Sequence, residues 1–230
     1  MSAGIEKYKP YLDAGTFESS GVNNEFTSRY HTFKICIDFL HPNLTDKKVL
    51  ELGTTRSFVD GKYDGCNSND VKYWNKDDCS KWDWSAGCFT LIFGQLPGIK
   101  LTTVDTQFSH INRCRYMTDS LNIKCGHVLA DSVNFLKTTQ DKYDLIYLDT
   151  GDMTPIEPTS QQQLSEVQII HEYNILAPSG LLLIDDVLNK TPKEYGENSG
   201  WGKSKYSIPY LLDSGYEILY KGYQYILFLP

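Results

Sequence analysis

Apolar residues gather in five short runs, each closed by turn residues: KKVLEL (47–52), KLTTVD (100–105), GHVLAD (126–131), YDLIYLD (143–149) and GLLLIDD (180–186). Runs this short, rich in Val, Ile, Leu and Tyr, suit strands buried on both faces. The segments between them, 85–96, 110–121, 132–139 and 160–176, are long enough for crossover helices. Strand and helix in alternation predict an α/β fold with a doubly wound, mostly parallel sheet and helices on both faces. The end of the chain breaks that rhythm. Residues 204–215 read as a helix limited by Pro209, and 216–230 as two strands turning around Gly222. A C-terminal antiparallel hairpin then completes a seven-stranded sheet. At the front, 23–42 reads as one amphipathic helix stopped by Pro42, with Phe26, Tyr30, Phe33, Ile37 and Leu40 three or four residues apart.

One stretch fits neither pattern. Residues 55–84 are polar yet hold Tyr63, Tyr73, Trp74, Trp82 and Trp84, three of the four tryptophans in the chain. A connection of this length inside a compact domain is either functional or disordered. Tryptophan gains most from burial and argues against disorder. The rings either stack on a ligand, as a lid, or staple the insertion to the body. The expected organisation is one domain over 1–230, with a helical cap at 1–44 and the insertion at 55–84.

Composition narrows the partners. A chain of 230 residues, 40% hydrophobic and 22% charged, is globular and large enough for a full core. Its net charge of −7 argues against nucleic acid or an anionic membrane as the main partner. No apolar run reaches the roughly 18 residues of a membrane span. The start MSAGIEKYKPYLD lacks the apolar centre of a signal peptide, so a cytoplasmic location is expected. The six cysteines show no CxxC pair, which favours free thiols over a zinc site, with a Cys66–Cys79 bridge as the alternative. A homo-oligomer is compatible with the sequence.

Ligands of open α/β sheets sit outside the carboxyl ends of the strands, so the residues there are the candidates for chemistry. Strand one ends in Glu51, Gly53 and Thr54, strand two in Asp105 and Thr106, strand three in Asp131 and Ser132. Gly53 lets the backbone approach a ligand closely. One carboxylate accepts two hydrogen bonds, so Asp105 suits a pair of vicinal ribose hydroxyls. Asp131 suits either a ligand amino group or the N-cap of the next helix. No GxGxxG motif is present, which removes the main support for NAD or FAD. Strands four and five end in YLDTGD and LLLIDDV. Adjacent parallel strands lie about 4.8 Å apart, so Asp149, Asp185 and Asp186 can converge. Such a cluster repels itself unless a cation neutralises it, and oxygen ligands select Mg²⁺ or Ca²⁺. Otherwise the acid pair caps a loop.

This ordered set over residues 45–230 resembles the class I S-adenosylmethionine-dependent methyltransferases, which have a Rossmann-like fold. The acids after strands four and five resemble the metal-dependent small-molecule O-methyltransferases of the catechol and macrolide-sugar type. The resemblance implies S-adenosylmethionine as cofactor, with Glu51, Gly53 and Thr54 at its methionine part. Asp105 and Thr106 would then sit at the ribose and Asp131 and Ser132 at the adenine, with Asp149 close by. Thr54 and Thr55 replace the glycines usual in the family, and the helix resumes at SAGC with Ser85 as its N-cap. The resemblance further implies a metal on Asp149, Asp185 and Asp186, and methylation of a sugar or phenol hydroxyl. Catechol-type enzymes carry a lysine where this chain has Asp152. Asp149 counts as catalytic through the metal it would hold, Asp152 is a candidate base or further metal ligand, and Lys190 and Lys203 are other candidate bases. Trp74, Trp82, Trp84 and Trp201 are candidates for stacking on the acceptor. Arg29 and His31 are candidates for touching the acceptor or the cofactor carboxylate, and His171 reads as a packed structural histidine. The alternatives are a methyltransferase that needs no metal, a non-catalytic cofactor-binding module, and another nucleotide-binding enzyme such as an aminopropyl transferase.

Overall fold

The structure, a computed structural model, describes residues 3–14, 28–41, 45–60, 66–86, 88–152, 155–187 and 202–230. Seven strands form one sheet: β1 (Lys47–Leu52), β2 (Ile99–Asp105), β3 (Cys125–Leu129), β4 (Tyr143–Leu148), β5 (Leu176–Ile184), β6 (Glu217–Lys221) and β7 (Tyr225–Phe228). Their order is β3-β2-β1-β4-β5-β7-β6. The first five pair in parallel, and β7 runs antiparallel between β5 and β6. The order reverses between β1 and β4, which is the switch point where such sheets bind ligands. The α/β reading and its closing hairpin hold.

Period-two alternation sends the strand residues into two cores. Val49, Leu101, Leu145, Leu181 and Leu183 face α1 (Ala3–Glu6), α2 (Lys9–Ala14), α3 (Arg29–Leu40), α4 (Phe89–Phe93) and α5 (Phe108–Ser120). Leu50, Leu52, Ile146, Leu148, Leu182 and Ile184 face α6 (Ser132–Thr138), α7 (Ile156–Glu172) and α8 (Ser207–Asp213). Ser28 caps α3 through its side chain, so within the described residues the helix starts later than position 23. α7 begins at Ile156, earlier than 160, because Pro158 sits in the first turn, where its missing N–H has no intrahelical partner. Asn174, with φ 53°, follows its end. β5 then starts at Leu176, well before 180, and tolerates Pro178 and Ser179 through a register shift against β4.

The insertion resolves in favour of the staple. Its short 3₁₀ turns at Val71–Tyr73 and Cys79–Lys81 are capped by Asp70 and Asp78. Trp74 stacks on Trp82 at 5.2 Å, Trp82 on Trp84 at 5.9 Å, and Trp84 on Tyr11 of α2 at 5.2 Å. Each indole N–H is satisfied: Trp74 donates to Ser120 of α5, Trp82 to the Asn75 carbonyl and Trp84 to the Cys79 carbonyl. This ladder belongs to the first core, with Trp82 and Trp84 buried and Trp74 partly so, and none of the three rings reaches the cavity described below. The expectation that they stack on an acceptor is corrected. Trp201 lies outside the described residues. All six thiols are free, including Cys66 and Cys79. Among the described residues, no helix is long and apolar enough to cross a membrane.

The same alternation that buries Val49 buries Glu51, which pairs in register with Thr103 on β2 and Tyr147 on β4. It is 2% exposed, and its carboxylate accepts hydrogen bonds from the Thr90 and Thr103 hydroxyls. Burial pushes its pKa up to about 8, against the pull of the two threonines.

Two outcomes are expected. Trp82→Ala removes the middle ring of the ladder and lowers unfolding free energy by about 3–5 kcal/mol, measured by chemical denaturation. For Glu51, the unfolded chain releases its proton near pH 4.5 while the folded protein keeps it until about pH 8. Stability therefore falls as pH rises through that window, and Glu51→Gln flattens the slope. Melting temperature against pH reads both proteins, and an unchanged slope in the variant assigns the titration to another group.

Candidate functional site

The carboxyl ends of β1 to β5 enclose a cavity of about 640 Å³ at the switch point, a size suited to a nucleoside-sized ligand. Its floor is set by backbone. Gly53 has φ +87°, and a Cβ there would stand 2.3 Å from the Asp149 carbonyl oxygen, so only glycine lets the turn after β1 pass the turn after β4. The next residue, Thr54, also lines the cavity, while its hydroxyl is buried and turned inward toward the Cys114 thiol.

Asp105 lines the cavity beside Thr106 and organises the turn after β2. Its carboxylate accepts from the Gln107 amide at 2.7 Å, meets His110 Nδ1 at 3.2 Å and reaches the Thr54 amide at 3.4 Å. Asp131 lines the cavity and caps α6 by accepting from the Asn134 amide, so the N-cap reading holds. Ser132 also lines it, but its hydroxyl donates to Glu166 on α7. The Thr150 hydroxyl joins the same carboxylate at 2.8 Å and 2.9 Å from its two oxygens. Glu166 is fully buried, and burial pushes it up to about 7 against these donors. Sequence reasoning missed it. The signal was present: Gln163, Glu166, Val167 and Ile170 share one buried stripe of α7.

The acids after β4 and β5 do converge, but around protein cations. Asp185 is fully buried and accepts from Arg29 Nε at 3.1 Å, from Arg29 NH2 at 3.0 Å and from the Tyr147 hydroxyl. Arg29 also donates to the Ser85 carbonyl at 3.2 Å, which ties α3 to the insertion. The Lys203 ammonium lies between Asp149 Oδ1, at 2.8 Å, and Asp186 Oδ2, at 3.0 Å. The Tyr223 hydroxyl donates to the other Asp186 oxygen. Burial works against the Asp186 carboxylate, but Lys203, Arg29 and Tyr223 outweigh it and hold its pKa low. Asp149, with its side chain 23% exposed to the cavity, is raised to about 6 by burial and the neighbouring acids against the pull of Lys203.

The expected metal set therefore does not fit a divalent ion. Mg²⁺ needs its oxygens at about 2.0–2.1 Å in an octahedron. Here the ammonium already occupies the point between Asp149 and Asp186, and Asp185 is turned away to Arg29. No cluster able to hold a metal occurs among the described residues. Other expectations are also corrected. Ser85 lines the cavity but caps no helix: its hydroxyl turns back to Asp83, and α4 begins only at Phe89, after Cys88 in a left-handed conformation. Glu51 lies beneath the cavity wall and does not line it. Asp152, unlike Glu51, does line the cavity, exposed and paired with Arg56 at 2.9 Å. Lys203 is fully buried and fully ion-paired, so it is no base. Lys190 lies outside the described residues. His31 packs edge-on against Tyr30, and His171, as expected of a packed histidine, meets Tyr210 and Tyr216.

No protein-family model matches the sequence, and no curated protein matches it at a significant level. Solved structures do match the fold. The SAH-bound methyltransferase PaMTH1 of Podospora anserina shares 15% identity at a TM-score of 0.55, covering 99% of this chain and 88% of its own. Cofactor-bound Rv0187 from MTB shares 12% at 0.56, covering 99% and 89%. A proposed O-methyltransferase from Klebsiella pneumoniae shares 10% at 0.51, covering 98% and 89%. At these identities the likeness is one of architecture: the chain has the Rossmann-like fold of the S-adenosylmethionine-dependent methyltransferases.

Proposed function

We propose that the chain transfers the methyl group of S-adenosylmethionine to a hydroxyl on a small molecule. The observation that carries this reading is the cavity at the β1/β4 switch point, floored by Gly53 and lined by Thr54, Asp105 and Asp131. When bound, the cofactor supplies a sulfonium methyl as electrophile.

The chain's own residues supply position and proton handling. The Gly53–Thr54 turn lines the cavity where the amino-acid end of the cofactor would sit. The Asp105 carboxylate keeps lone-pair capacity for the ribose hydroxyls beyond its three existing contacts. Val104 and Ala130 give apolar surface next to Asp131 for the base. At the other end, Asp149 faces the cavity beside Arg29, Asp186 and Tyr223. Asp149 would take the acceptor hydroxyl's proton as general base, while the cofactor would supply the methyl group through cleavage of its sulfur–methyl bond and leave as S-adenosylhomocysteine. The bound SAH of PaMTH1 and the O-methyltransferase proposed in Klebsiella support the cofactor and acceptor chemistry. The net charge of −7 and the acidic acceptor end disfavour a polynucleotide.

Calorimetric titration with S-adenosylhomocysteine tests the reading. Wild-type protein binds it and melts higher in its presence. Asp105→Ala, folded by circular dichroism, loses affinity by about tenfold or more. No binding and no thermal shift would overturn the assignment. Labelled methyl transfer across a panel of hydroxylated metabolites then identifies the acceptor.

A further inference from the structure

The acid cluster at the acceptor end contains its own counter-ion, and the backbone is shaped to deliver it. Lys203 is fully buried. An ammonium has three donors, and three acceptors meet it: Asp149 Oδ1 at 2.8 Å, Asp186 Oδ2 at 3.0 Å and the Gly151 carbonyl at 3.4 Å. Burying an ammonium costs several kcal/mol unless carboxylates compensate, so a fully enclosed lysine marks a specific partnership. Gly202, just before it, has φ +55°, and a Cβ there would stand 2.0 Å from the Asp186 carbonyl oxygen. Asp186 itself has φ 53°. Two left-handed backbone positions thus abut, and only glycine at the first lets the chain lie close enough for Lys203 to reach both carboxylates.

We infer that the Lys203 ammonium is the resident cation of this site, standing where a divalent ion would otherwise bridge Asp149 and Asp186, and that turnover needs no added metal. The statement about turnover rests on the methyltransferase reading; the occupancy of the cluster by Lys203 does not. Lys203 does not line the cavity and is a positioning residue: it fixes two carboxylates and leaves Asp149 facing the acceptor. With all three donors committed to protein oxygens, it leaves the acceptor proton to Asp149.

Manganese titration, followed by electron paramagnetic resonance and by thermal shift, tests the inference without an activity assay. Wild-type protein neither binds manganese nor shifts its melting temperature. Lys203→Met exposes the carboxylate pair, binds manganese and melts higher with it, and the further change Asp186→Asn abolishes that binding. Wild-type binding that Asp186→Asn removes would overturn the inference, as would a folded Lys203→Met protein indifferent to manganese. If Lys203→Met does not fold, wild type and Lys203→Arg still decide, since both keep a cation and both must ignore the metal. In the turnover assay, chelator leaves wild type unchanged, and magnesium restores part of the rate lost in Lys203→Met, which a purely structural lysine would not allow. Failure of wild type to bind S-adenosylhomocysteine overturns the methyltransferase reading alone and leaves the manganese result intact.

Discussion

The pairing of three buried or half-buried carboxylates with two buried cations governs the acceptor end of this molecule. Asp149, Asp185 and Asp186 end neighbouring strands, and parallel strands cannot keep such groups apart. Unpaired, they would force protonation or distortion. Arg29 reaches back 156 residues from Asp185, and Lys203 reaches back 54 residues to Asp149, so each pair closes a long loop of chain onto the sheet. α3 and the segment entering α8 are thereby held against the strand ends. The cost of breaking such pairs is high because the surviving charge is stranded in a dry site.

Much of the scaffold was legible beforehand. KKVLEL, YDLIYLD and their counterparts are apolar runs of strand length separated by helical segments, and that alternation leaves few topologies. The closing hairpin was legible because Gly222 splits two runs of aromatic and branched residues. Asp105 and Asp131 were readable as cavity residues because a strand end has a fixed position in this architecture. Gly53 was readable because a glycine there has a steric purpose.

What was hidden depends on contacts distant in sequence. The partner of an acid cannot be read from its neighbours along the chain: a metal, an arginine or a lysine would each satisfy Asp185 and Asp186, and only folding decides among them. Glu51 misled for a different reason. Its place near a strand end suggested a ligand, yet its parity matched Val49 and sent it into the core between Thr90 and Thr103. The start of α4 was misplaced because Ser85 looks like a cap, whereas the chain is already committed to Trp84 and its ladder.

That ladder has an optical consequence. Trp74 and Trp84 each stack on Trp82 between them, in a cluster that does not border the cavity. Three of the four tryptophans of the chain therefore sit in one stacked cluster between α5 and the N-terminal helices, so their shared environment reports on the docking of the insertion. None of these three rings lines the strand-end crevice, so what fills that crevice does not touch them.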